Sequence, residues 1–376
     1  MRGSRILPSK TIFLYIFKEI LLYCGIAFLF FFVIFFVNNI LAEIREDLIK
    51  NVSLGLILKF MFYSIPIVIA NAAPYSALIG TLMCFGRFTS DYEILSMNAL
   101  GLSSRIILVP TLLAAIFISL LSFFVNDILI PISALKLNKI QIEMMTATPT
   151  VDMESYSIKR SKNMVMVTGA VDENVINDLL IIDDSDNESI RFISAGKSLL
   201  KSGNGKGILM SIDFEDPILL RINKNDKKDY EFSHGEKLTY NILIKEFKQD
   251  AMVGIGPGQL SSYDLYNKIK KMKEDPNASL RRLNFYNLEF QKKFVVPFGA
   301  FFFILLAYAL STSVKLYNQG VGFVIGLLIS VGYWSVLMGG QQLTVEKNIN
   351  SFITMWLPNA LLLIIAVLLL GKRIWK

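Results

Sequence analysis

Hydrophobic positions gather into two blocks, residues 20–131 and 294–371, and polar positions dominate between them. A bilayer core about 30 Å thick needs about 20 apolar residues per helix, so each block has room for three helices. The spans predicted this way are 19–42, 54–88, 104–131, 294–314, 320–341 and 351–370. The second is overlong and contains Pro66 and Pro74, which remove backbone donors and permit a bend. Asn71 lies between those prolines and is expected to make a buried interhelical hydrogen bond. The first apolar stretch exceeds the roughly 7–15 residues of a signal-peptide core, and no small-x-small site follows it. It therefore reads as a retained membrane helix.

The segment between the blocks has a different period. Short β-type runs at 163–168, 178–183, 190–194, 207–214 and 217–222 alternate with turn clusters such as 183–187 and 202–205. Such spacing predicts an all-β sandwich, jelly roll or open barrel. Residues 261–275 instead read as an amphipathic helix. Leu265, Ile269 and Met272 share one face, Ser261 or Ser262 caps the start, and Asp264 lies in the first turn. Gly254, Gly256 and Gly258 form a flexible joint ahead of it. The expected organisation is 1–138 for three spans, 139–250 for the β domain, 251–293 for linker and amphipathic helix, and 294–376 for three more spans. The fold class is a membrane α-helical bundle, three plus three helices, with an inserted jellyroll-like all-β domain.

Composition narrows the chemistry. The net charge is +7, but much of the Lys and Arg sits at span ends, where membrane proteins carry it, which argues against nucleic acid. Cys24 and Cys84 are isolated thiols inside predicted spans, and His234 is the lone histidine. Zinc sites, disulfide frameworks and histidine-based catalysis have no residues to build on. Gly196-Lys197-Ser198 lacks the earlier glycine of a phosphate-binding loop, since Arg191 occupies that position. The chain is thus expected to bind no cofactor and to hydrolyse no ATP itself.

Basic residues also predict orientation. One side carries Arg2, Arg5, Lys10, Lys18, Arg87, Arg105, Lys315, Lys372, Arg373 and Lys376, whereas the opposite short loops hold only Arg45, Lys50 and Lys347, with Lys59 at a helix start. The positive-inside rule places both termini in the cytoplasm and the β domain outside the cytoplasmic membrane. Lys292 and Lys293 cluster at the outer end of the fourth span, against that bias. Arg45, Lys50, Lys59, Lys292 and Lys293 either attract anionic lipid headgroups or snorkel to the interface.

The cytoplasmic loop between spans two and three carries the most specific pattern. Residues 91–100 predict a short helix that Gly101 ends in the left-handed region, with Ser103 or Ser104 capping the next span. Such a helix is either a plain connector or a lever for a cytoplasmic partner. Residues 93–103 (EILSMNALGLS) resemble the coupling-helix motif of the LptF/LptG permeases, also called the YjgP/YjgQ family, with Glu93, Gly101 and Ser103 at matching positions. Residues 64–66, 73–80, 288–306 and 355–359 resemble the family's second, fourth and sixth helices. The resemblance implies a lipopolysaccharide-exporting ABC transporter permease in the bacterial inner membrane. It also implies a heterodimer with a paralogous permease, an LptB-like cytosolic ATPase dimer that binds the ATP, and LptC/LptA-like periplasmic jellyroll proteins. Asp91, Glu93, Gly101 and Ser103 then become the residues for ATPase coupling. The competing reading is the permease of another ABC-type complex that moves lipoprotein or drives a periplasmic adaptor. Such permeases commonly show four spans, a layout that does not fit this chain.

Overall fold

The computed structural model describes residues 10–43, 53–102, 105–147, 155–161, 164–172, 174–186, 188–202, 208–224, 229–243, 255–275, 279–313 and 318–374. Its helices are α1 (Lys10–Glu43), α2 (Leu54–Ser90), α3 (Glu93–Ala99), α4 (Arg105–Phe124), α5 (Ile130–Ala147), α6 (Ser262–Glu274), α7 (Leu280–Ser313), α8 (Gln319–Glu346) and α9 (Ser351–Ile374). A π-helical turn, Val125–Leu129, joins α4 to α5. Among the described residues, six helical segments are long and apolar enough to cross a membrane, and α4, the π-turn and α5 together make the third. The chain divides into two compact units. One comprises Met1–Leu41, Ser64–Ala134 and Gly256–Lys376; the other comprises Ala42–Tyr63 and Leu135–Ile255.

In the helical unit the core is built from α1, α2, α4, α7, α8 and α9. Small residues set the distance between helices. A Cβ on Gly80 would run into the Cys24 backbone, and one on Gly322 would meet the Leu82 carbonyl. The packed stripe of α2 is Ala72, Ala73, Ser76 and Ala77. Asn71 falls beside that stripe and is exposed, so the buried interhelical bond expected for it does not form. α2 continues through Pro66 and Pro74 as one helix. Cys24 and Cys84 are free, buried core residues.

Several boundaries differ from expectation, among them the start of α1 at Lys10 rather than residue 19. α7 starts at Leu280, ahead of its apolar run, because Tyr286 and Leu288 bury one side of its polar first turns. α6 packs Leu265 and Ile269 against Tyr286 of α7. Its cap is as expected: the Ser261 side chain accepts from the Asp264 N–H. The third span continues as helix to Ala147, so residues 139–147, expected within the β domain, are helical.

The β unit is one antiparallel sheet in the order β1-β2-β4-β5-β6-β9, with β3 on β4 and with β7 between β5 and β8. The strands are β1 (Ile158–Ser161), β2 (Met164–Val167), β3 (Val171–Asp172), β4 (Val175–Asp183), β5 (Ser189–Ser202), β6 (Ile208–Glu215), β7 (Ile218–Asn223), β8 (Tyr230–His234) and β9 (Lys237–Leu243). β5 pairs with β7 through Ser189–Ser194 and with β6 through Lys197–Ser202. β6 and β7 thus form one long strand interrupted at Asp216–Pro217. β9 and β8 line up beside them in the same way.

The interruptions fall on a line across the sheet. Asp178 on β4 and Asp216 after β6 have φ of 54° and 51°. Gly196 faces both positions, between the pairs Asn177↔Lys197 and Leu179↔Ala195 on one side and next to Lys197↔Glu215 on the other. Buried positions change parity at this line, from Leu179, Ile181, Ile193 and Ala195 to Ile176, Leu200, Ile212 and Phe214. Such a switch bends the sheet so that its two halves bury their inner faces in one core. The expected jellyroll-like insert is built this way, with β1 and the β8–β9 strand at its edges. His234 is exposed on β8.

Candidate coupling site

Only Asp91 and Tyr92 separate α2 from the short helix α3. Tyr92 has φ 59°, which turns the chain and starts α3 at Glu93, two residues later than expected. Asp91 therefore sits just past the end of α2, where its N–H still donates to the Arg87 carbonyl. The C-terminus follows the expected pattern. Gly101 has φ 76°, its N–H donates to the Asn98 carbonyl, and the Leu102 N–H donates to the Met97 carbonyl. This paired closure satisfies carbonyls that the helix end leaves free. Ser103 lies outside the described residues.

α3 has two faces. Ile94 and Met97 pack on the bundle core. Tyr92, Leu95 and Leu100 are exposed at 68%, 63% and 79%, an unusual share of apolar surface for so short an element.

Glu93 is held by α1 and α2. Tyr15 donates its hydroxyl to both carboxylate oxygens at 2.9 Å. Arg87 Nη2 donates to Glu93 Oε1 at 3.0 Å and to the Tyr15 oxygen at 2.6 Å. Arg87 Nη1 pairs with Glu19 Oε2 at 3.2 Å, and its Nε lies 3.6 Å from Asp91 Oδ2. The guanidinium also lies over the Phe88 ring, 5.4 Å from its centroid. Among the described residues one cation thus faces three carboxylates, leaving two formal negative charges in surplus there. The cluster is half-buried: Arg87 keeps 22% and Glu93 27% of its side-chain surface.

Sequence reasoning placed Glu93 and Asp91 here but missed Tyr15, Glu19 and the hub role of Arg87. The i,i+4 spacing of Arg87 and Asp91 and a carboxylate inside an apolar helix, Glu19, were the available signals.

The five basic residues considered for lipid headgroups do not share one environment. Lys59 is exposed. Lys292 is partly exposed and pairs with Glu289 at 3.1 Å. Lys293, its neighbour in sequence, is 2% exposed, and its ammonium donates to the Asn126 carbonyl at 2.7 Å. That ammonium is turned into the protein, so the expected Lys292–Lys293 cluster is not a cluster in space. Arg45 and Lys50 lie outside the described residues.

No curated protein matches the chain. A family model described as "Lipopolysaccharide export system permease LptF/LptG" matches residues 14–372, which takes in α3, the sheet and all six spans but for the first four residues of span one. With its six membrane-crossing helices and inserted antiparallel sheet, the chain belongs to the LptF/LptG permease family of lipopolysaccharide export.

Proposed function

We propose that this permease couples a separate cytosolic ATPase to lipid extraction through α3. The observation that carries the reading is the wiring of Glu93. One carboxylate at the start of a seven-residue helix contacts Tyr15 of α1 and Arg87 of α2, and Arg87 in turn contacts Glu19 of α1. A displacement of α3 is therefore felt by both membrane helices. The exposed Tyr92, Leu95 and Leu100 offer the apolar contact a partner needs, and the surplus negative charge favours a cationic group on that partner.

In this reading both termini and α3 are cytoplasmic, the membrane is the bacterial inner membrane, and the β unit is periplasmic. The bundle pairs with a paralogous permease. ATP-driven movement transfers lipopolysaccharide or a related glycolipid to the β unit, and one edge strand of the sheet passes it on by pairing with a periplasmic jellyroll protein. Coupling of this kind requires that the partner grip α3 differently in its two nucleotide states. Lys59 and Lys292 remain the described cations for anionic headgroups.

The test is Glu93→Ala in the assembled complex, reconstituted with its ATPase. Loss of a charged hydrogen bond costs about 1.5–3 kcal/mol, roughly 10- to 150-fold in affinity. The expected result is ATPase-driven lipid release reduced by at least ten-fold, with membrane insertion retained. Normal release at normal abundance would overturn the assignment.

A further inference from the structure

Two prolines in different membrane spans orphan one backbone carbonyl each, and the structure satisfies both through a single pair of residues. In span three, the π-turn hands the Ile130 N–H to the Val125 carbonyl. In an α-helix that N–H would have gone to Asn126. The next possible donor to the Asn126 carbonyl is residue 131, and it is Pro131, which has no N–H. Lys293 Nζ fills the gap at 2.7 Å. In span four, Pro297 removes the donor owed to the Lys293 carbonyl. Asn126 Nδ2 lies 3.5 Å from that carbonyl and supplies the weaker, returning half.

The two nearby carboxylates, Asp127 and Glu289, lie within electrostatic range of the ammonium but place their hydrogen bonds elsewhere. Asp127, beside Asn126, accepts from the Ser262 N–H at 2.6 Å and from its hydroxyl at 3.0 Å, which ties the first residue of α6 to the π-turn. Glu289 is taken by Lys292. Lys293 is thus a buried ammonium whose short hydrogen bond goes to a backbone carbonyl, with the Asn126 Oδ1 farther off at 3.5 Å. In a low-dielectric span such a group is expensive and is retained for a specific purpose.

We infer that Asn126 and Lys293 form a reciprocal clasp that makes the proline-weakened points of spans three and four bend together, with Lys293 as a positioning residue. Bending either span alone strands a buried carbonyl. The chain leaves the helical unit after Ala134 and re-enters it at Gly256, and the Asp127–Ser262 tie joins the two segments within that unit. The inference does not rest on the role of α3.

The experiment compares Lys293→Met, Pro131→Ala and the double variant in the full chain. Pro131→Ala restores an N–H at 131, so the helix can satisfy the Asn126 carbonyl without Lys293. The clasp therefore requires suppression. Lys293→Met lowers the detergent Tm by several degrees and broadens the distance distribution between spin labels at Phe117 and Ile132, both exposed positions flanking the π-turn. The double variant recovers most of both losses. If Lys293→Met does not accumulate, recovery of folded protein in the double variant is the required result. An unchanged Tm and distance distribution in Lys293→Met, or a double variant no better than Lys293→Met, overturns the inference; a lysine that merely fills space would not be suppressed at Pro131.

Discussion

The Arg87 cluster and the Asn126–Lys293 clasp are both charged groups inside apolar helices, and they solve that problem in opposite ways. Arg87 is half-buried and shares one guanidinium among Glu19, Asp91 and Glu93, with Tyr15 bridging. Its partners are side chains, more numerous than the charge requires, so one can be exchanged for an outside partner at modest cost. Lys293 is fully buried and serves a backbone carbonyl that no rotamer change can remove. Surplus side-chain partners suit a contact that must switch, whereas backbone partners suit one that must hold.

The largest expected effect tests the first half of this contrast. Arg87→Leu leaves three carboxylates facing one another and costs roughly 2–3 kcal/mol, somewhat less than breaking a fully buried pair. Thermal unfolding in detergent should show a drop of several degrees, and loss of ATPase-coupled release should accompany it. Arg87→Lys keeps the charge but loses the planar fork. It should recover part of the stability while leaving Glu19 and Glu93 unable to share one partner, and release should stay low. Full recovery of release by lysine would break the comparison, because charge alone would then suffice.

The β unit supplies a third case between the two. Asp183 is 2% exposed at the end of β4. Burial pushes its carboxyl upward, but the Ser185 N–H at 3.0 Å, the Tyr240 hydroxyl at 3.0 Å and Arg191 at 3.1 Å together hold it below the usual carboxylate range. Asp183→Asn leaves Arg191 and Tyr240 imperfectly paired and should cost about 1–2 kcal/mol. The sign with pH follows from the depressed value. This stabilisation is complete above the ordinary aspartate pKa of about 3.9 and fades as pH falls through the lower folded value. The Asp183→Asn variant should therefore unfold with a weaker acid dependence than the parent when the β unit is followed by hydrogen exchange at neutral and acid pH. An equal dependence in both would remove Asp183 from this group.

The smallest effect probes exchangeability. Tyr15→Phe deletes the bridging hydroxyl yet leaves the Arg87–Glu93 pair, a loss of about 0.5–1.5 kcal/mol. A detergent Tm within a few degrees of the parent is expected. A collapse as large as that of Arg87→Leu would mean that the cluster is a rigid network and not a set of interchangeable contacts.

Hydrophobicity along the chain was enough to find all six spans, because in a bilayer length and apolarity alone decide which segments insert. Local chemistry was equally legible: Gly101 ends α3 and Ser261 caps α6 because those residues act on backbone atoms within a turn. The start of α3 was missed because nothing in Tyr92 announces a left-handed backbone.

What the sequence could not determine is which distant groups meet. Tyr15 and Glu93 lie 78 positions apart, and Asn126 and Lys293 lie 167 apart. Pro131 and Pro297 are visible as breaks, but only the packing of the spans shows that one pair of residues repairs both. The sheet teaches the same lesson. Its strands follow from alternation, whereas the change of buried face along the Asp178–Gly196–Asp216 line depends on neighbouring strands bending in register. Insertion, caps and strand character are set by short-range or solvent-level physics that each segment carries by itself. Partners for orphaned carbonyls and surplus charges are set by three-dimensional proximity, which the fold alone supplies.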